Sequence, residues 1–268
     1  MMTHWVKSNA LLALSVCAIL PFAALPLSAQ LAVRHSEGIV HGFLLLTTLD
    51  GHALADGEQT QSTRGDRVTS HLIFRFKDGS IHQEDSVYSQ RKTFQLISEH
   101  LVQKGPTFKE PIDVSFTVAS GQVTVKSTEK DGKEKVITEH VDMPADLANG
   151  VILILLKNLP PEGQQLKLPY LAATPKPRMV KLDISSSGED SFVAGGSTQK
   201  AIHYVVKVEI GGVAGVVAPI VGKQPADTHV WILKGAVPAF VQSEGPLFQG
   251  GPVWRISLAS LRASSKQP

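Results

Sequence analysis

Residues 225–231 (Pro-Ala-Asp-Thr-His-Val-Trp) bring a carboxyl, a hydroxyl, an imidazole and an indole into one short stretch. Side chains two apart on a strand project from the same face, so Asp227 is placed to orient His229 as a general base. Together with Glu244 they form the one acid–base set in the chain that suits hydrolysis of a polymer or ester. No nucleophile is tied to the pair. The plainer reading is a turn aspartate, a surface histidine and a core tryptophan, and no catalytic residue is assigned.

Other chemical motifs fail on spacing. Ser89 with Lys92 and Ser197 with Lys200 match S-x-x-K, but both lie in strand or loop context without partner motifs. Nine histidines follow residue 30, none in an H-E-x-x-H or H-x-H arrangement, so no metal site and no cofactor are expected. Gly211-Gly212-Val213-Ala214-Gly215 lacks the G-x-G-x-x-G spacing, and Gly222-Lys223 is followed by Gln224 rather than Ser or Thr. Small apolar residues from Val213 to Val221 suit close backbone packing against a bent strand better than phosphate binding. Cys17 is the only cysteine, which excludes thiol chemistry downstream of it. Lys and Arg total 26 against 24 for Asp and Glu, so no global basic field draws in nucleic acid.

What remains is apolar recognition. Phe74, Phe76, Tyr204 and Trp231 sit in amphipathic strands and are the expected ligand-facing residues, although such aromatics more often fill a core.

The elements that would hold them follow from alternation. Leu72, Phe74 and Phe76 alternate with Ile73, Arg75 and Lys77, and Asp78-Gly79, a hairpin signal, follows directly. Ile112 to Val118 alternate likewise, and a two-residue turn at Ser120-Gly121 would set Val118 opposite Val123 and Phe116 opposite Val125. Asp50-Gly51 closes a strand from Phe43 to Leu49, and Asp131-Gly132 suggests a further hairpin into Val136 and Ile137. Val180 to Ile184, Ile202 to Ile210, Val230 to Leu233 and Trp254 to Leu258 continue the style. About ten strands at hairpin spacing predict a mainly β fold, an antiparallel curved sheet closing to a half-barrel or barrel. One segment differs. Pro144, with Asp142 as a cap, predicts a short buried helix running into Val151–Leu156, with a buried strand after Asn149-Gly150 as the alternative. Pro160 through Pro177 is expected as a loop-like crossover.

The amino terminus supplies location. Lys7 followed by the apolar stretch Ala10–Leu27 and small residues at Leu27-Ser28-Ala29 has the form of a secretory signal peptide over residues 1–29. Pro21 and Pro26 interrupt the roughly 20 apolar residues a membrane anchor needs. Val16 before Cys17 is not the small residue that lipoprotein signals carry. The expectation is a single β domain over 30–262 and a disordered tail over 263–268, working in the periplasm or outside the cell and not integral to the membrane once the signal is removed.

Three stretches carry a family likeness: Phe76-Lys77-Asp78-Gly79-Ser80, Asp146-Leu147-Ala148-Asn149-Gly150, and Gly211 through Trp231. On these the chain resembles uncharacterised secreted bacterial β-proteins, domains of unknown function whose curved sheets look like those of periplasmic lipoprotein carriers and lipocalin-like barrels. The resemblance implies a concave apolar face and carries over no active-site residue. Three functions are therefore expected in order: a non-enzymatic protein holding a lipid or acyl chain, a structural protein docking an envelope partner, and an envelope hydrolase. The first depends on whether Val151–Leu156 leaves the concave face open.

Overall fold

The computed structural model describes residues 31–128, 132–160, 165–194, 196–210 and 224–259. The expected signal peptide, the tail and the small-residue segment 211–221 lie outside these residues. Fourteen strands form one antiparallel sheet in two meanders. The first runs β1 (Val40–Thr47), β2 (Ala53–Arg64), β3 (Arg67–Phe76), β4 (Ile81–Gln90), β5 (Phe94–Lys104), β6 (Ile112–Thr117), β7 (Gln122–Thr128) and β8 (Glu134–His140). The second runs β9 (Leu166–Ala172), β10 (Arg178–Ala194), β11 (Ser197–Glu209), β12 (Thr228–Leu233), β13 (Ala239–Pro246) and β14 (Val253–Leu258). Pairing of β1 with β14, including Leu44 with Leu258 and Leu46 with Ile256, joins the two. Edges β8 and β9 do not pair, so the sheet curls without closing.

Local turn chemistry explains the hairpins. Phe76 N–H donates to the Ser80 carbonyl at 2.9 Å and Gly79 N–H to the Phe76 carbonyl at 3.1 Å. This is a three-residue loop with Gly79 at φ 86°, not the two-residue turn that Asp-Gly suggests, because one left-handed residue after a type I turn suffices. A tight two-residue turn occurs instead at Gly65-Asp66, closing Arg64 on Arg67. The turn expected at Ser120-Gly121 is also longer. Val118–Ser120 forms a 3-10 turn, which places Phe116 opposite Val123 and Val114 opposite Val125. All four still share the buried face, since a two-residue slip preserves strand parity.

The crossover corrects two expectations. Leu166–Ala172 is strand β9 rather than loop, and its Pro169 is tolerated because the strand is an edge. The helix α1 spans Ile152–Asn158 and starts after Asn149-Gly150, not at Pro144; its N-cap is Val151, with no side-chain cap from Asp142. Tertiary contacts decide this start. Ala148 N–H donates to the Pro169 carbonyl at 2.9 Å. Asn149 Oδ1 accepts Leu171 N–H at 2.7 Å, and Asn149 Nδ2 donates to the Leu171 carbonyl at 2.9 Å. Residues 148–149 thus occupy the free edge of β9, and the chain can turn helical only beyond them. Seven residues cannot hold a helix in water. Burial of Ile154, Leu155 and Leu156 does so, at about 1.5–3 kcal/mol for each fully buried side chain. Asn158 fastens the far end, its Oδ1 accepting Arg34 and His35 N–H at 2.8 and 2.7 Å.

Two apolar clusters lie inside the curl. The larger joins Tyr88, Phe116, Val123, Leu168, Ile184 and Tyr204 to α1. The smaller joins Leu44, Leu46, Phe74, Phe76, Phe108 and Trp254. Asn149→Ala should remove both partners of the Leu171 peptide groups, and each buried polar group left unpaired costs about 1–3 kcal/mol. We expect stability to fall by about 2–4 kcal/mol in denaturant titration; a loss below 1 kcal/mol would mean that water takes over this edge.

Candidate functional site

Strand parity sends two kinds of side chain into the space between the clusters. From β9–β14 come apolar groups, among them Val180, Leu182, Val206, Val208, Val230 and Ile256. From β2–β5 come polar ones in a row that crosses four strands: Gln61, Ser70, Ser86 and Glu99 are successive lateral partners. The next row places Glu84 between Leu72 and Leu101, and the one after it places His82 between Phe74 and Gln103. Helix α1 contributes Ile152, Leu153 and Ile154 to the boundary without filling the space. A cavity of about 720 Å³ remains, within the usual range for small-molecule sites. Val40, Leu258, Ala226 and Arg178 line it and are exposed, which marks where it meets solvent.

The polar wall is mostly satisfied internally. Gln59 Nε2 donates to Ser70 Oγ at 2.7 Å, and Gln61 accepts the Tyr88 hydroxyl at 3.1 Å while donating to the Gly38 carbonyl at 2.9 Å. Gln103 Nε2 donates to His82 Nδ1 and to the Leu247 carbonyl, both at 3.0 Å. That arrangement requires His82 to be unprotonated at Nδ1, and burial lowers its pKa to about 4. Lys157 is engaged by Glu37.

Glu84 and Glu99 depart from this pattern. Glu99 is 6% exposed; its Oε1 accepts Asn149 Nδ2 at 3.4 Å, whereas its Oε2 has no hydrogen-bond partner. Glu84 is half-buried, its accessible surface opening into the cavity. Loss of water holds both carboxyls above the ordinary range, Glu84 at about 7 with a further push from Asp85, and Glu99 well above its usual value with a push from Glu84. The same two acids, after burial itself, raise the Tyr170 hydroxyl.

None of the four aromatics expected at the ligand lines this cavity. Phe74 is fully buried against Gly57, where an added Cβ would meet the Phe74 ring at 2.4 Å. Phe76 packs on Phe108 and Trp254 at ring separations of 5.5 and 5.6 Å, and Tyr204 belongs to the larger cluster. Trp231 points to the other face, since its neighbour Val230 lines the cavity and strand side chains alternate. There it stacks on His203 at 4.5 Å and donates Nε1–H to Asp190 Oδ2 at 2.7 Å. The acid–base set is also on that outer face but is divided among other partners. Asp227 pairs with Lys207 at 3.4 Å, His229 Nδ1 with His203 Nε2 at 2.8 Å, and Glu244 with Arg255 at 2.8 Å. Among the described residues no group of three or more His, Cys, Asp or Glu is arranged to hold a metal, and no helix is long and apolar enough to cross a membrane.

Sequence reasoning missed Glu84, Glu99 and Asn149. The available signal was parity: Glu99 stands two residues from Leu101, on the apolar side of its strand, where a carboxyl is out of place.

No protein-family model matches the chain, and no curated protein matches it significantly. Among solved structures it is similar to the crystal structure of a β-barrel-like protein of domain of unknown function DUF1849 from Brucella abortus. The two share 8% identity over 83% of this chain and 96% of that one, with a TM-score of 0.48.

The acid pair sets a pH signature. A carboxyl raised by folding contributes stability that is complete below its unfolded value of 4.5 and is lost as pH rises through its folded value of about 7. Glu84→Gln has no proton to lose, so its melting temperature relative to the parent should rise from about pH 5 to about pH 8. A pH-independent difference would place Glu84 in water. His82 acts in the opposite sense, its contribution present above pH 6.5 and lost as pH falls toward 4.

Proposed function

We propose that this protein is a non-enzymatic carrier or sensor that holds an apolar ligand, a lipid or acyl chain, inside its curled sheet. The observation that carries this reading is the open cavity of about 720 Å³, apolar along β9–β14 and bordered rather than filled by α1. Burying an alkyl chain there gains about 0.8 kcal/mol per CH₂ removed from water. The signal-like amino terminus supports a site of action in the periplasm or outside the cell, where amphipathic molecules cross an aqueous gap only when shielded. The same cavity weighs against a purely structural docking role, which needs no internal space.

Gly42 offers a direct test. It lines the cavity, and a Cβ built on it meets nothing within 4 Å. Gly42→Phe should therefore occupy the space without displacing a neighbour. We expect the parent chain to bind a neutral fluorescent probe with an alkyl tail, and Gly42→Phe to weaken that binding at least tenfold with its melting temperature within a few degrees of the parent. Native mass spectrometry of protein isolated from the envelope should show a co-purifying apolar molecule. Absence of probe binding to the parent chain refutes the reading.

A further inference from the structure

Building on the ligand reading, we infer that the ligand's polar end is a protonated amine, seated between Glu84 and Glu99. The inference starts from an inventory of unmet hydrogen-bonding capacity on the polar wall. Gln59, Gln61, Ser86, His82, Gln103 and Asn149 all have partners within the protein. Glu99 Oε2 has none although its side chain is buried against the cavity, and it is the one such buried side-chain atom among the described residues. Burial favours the protonated form of this acid; a cation placed beside it would favour the ionised form, whose oxygens accept hydrogen bonds.

Charge narrows the donor's identity. Glu37, Glu84 and Glu99 line the cavity, against Lys157 and Arg178. Lys157 is committed to Glu37, and Arg178 stands exposed at the mouth on β10. The region around the two glutamates therefore has two acids held towards their neutral forms and no lining cation of its own. Glu84 and Glu99 are diagonal neighbours on β4 and β5, since Glu84 lies opposite Leu101 and Glu99 opposite Ser86. A single group can therefore reach both. A hydroxyl or amide would bond to the acids in their neutral forms and gain nothing from their charge. An ammonium brings three donors and one positive charge, and charge-assisted bonds are about twice as strong as neutral ones. Gly150 completes the seat. A Cβ there would lie 2.9 Å from Glu99 Oε2, so a side chain at this position would crowd the oxygen that the ligand must reach.

A matched series of twelve-carbon probes separates this inference from the broader one. Dodecylamine, dodecanol and dodecanoate would be titrated against the full chain at neutral pH, each displacing the neutral fluorescent probe. We expect the amine to bind at least tenfold tighter than the alcohol, and the acid to bind weakest. Glu99→Gln, which keeps the side chain's shape and its bond to Asn149, should bring the amine within about twofold of the alcohol while leaving the alcohol's affinity unchanged. Glu84→Gln provides the same readout if Glu99→Gln folds poorly. Alcohol or acid matching the amine on the parent chain overturns the amine assignment and leaves the apolar cavity standing. An amine preference that persists in both variants also overturns it. Failure of all three probes to bind overturns both readings together.

Discussion

The Asn149 side chain imitates a peptide group, and much of the architecture hangs on that imitation. A curled sheet whose edge strands β8 and β9 do not meet leaves a row of unpaired donors and acceptors on each edge, which invites pairing with other chains. The amide of Asn149 meets both backbone groups of Leu171, while Ala148 takes the Pro169 carbonyl. Edge β9 is thereby closed without another strand. The opposite edge, β8, is protected differently, by exposed charge at Glu134 and Lys135. Holding residues 148–149 against β9 fixes where α1 begins, and so how far it enters the curl. The same amide donates to Glu99, tying β5 to the crossover and setting the position of the carboxyl that most distinguishes the cavity.

The interior is built against ordinary expectation. Buried polar groups are costly unless paired, and apolar residues on these four strands could have filled this face. Instead a row of Gln, Ser, Ser and Glu crosses the first meander, nearly all of it internally bonded. Such a wall stays in place without water or ligand, which keeps the space open between the two apolar clusters. The oxygen of Glu99 without a partner in the protein is the exception, and a buried group of this sort calls for an explanation.

Legibility varied with the kind of strand. β3, β6, β7 and β11 alternate apolar and polar residues cleanly and were readable, as were the hairpins after Asp50 and Asp78. β2 was not, because its sequence Ala-Leu-Ala-Asp-Gly-Glu-Gln-Thr-Gln-Ser-Thr-Arg buries Gln61 and packs Gly57 against Phe74 rather than presenting an apolar stripe. β9 was hidden by Pro169, a strand breaker everywhere except at an edge. Phe74, Phe76 and Tyr204, expected at the ligand, face inward but pack in the clusters, because inward positions here divide between packed cluster and open cavity. Trp231 is placed by the partners that Asp190 and His203 supply on the outer face.

The β class, the hairpin succession and the want of cysteine chemistry follow from the sequence by itself, because alternation and turn residues act over a few positions along the chain. Which end of each strand borders the cavity, where α1 starts and why Glu84 stands beside Glu99 were decided only in three dimensions. Those outcomes rest on pairs far apart in sequence, such as Glu99 with Asn149 and Asn149 with Leu171, separated by 50 and 22 residues. No local pattern encodes such partners: the same glutamate that would be solvated on an outward position becomes a buried, half-satisfied acid once curvature turns its strand face inward.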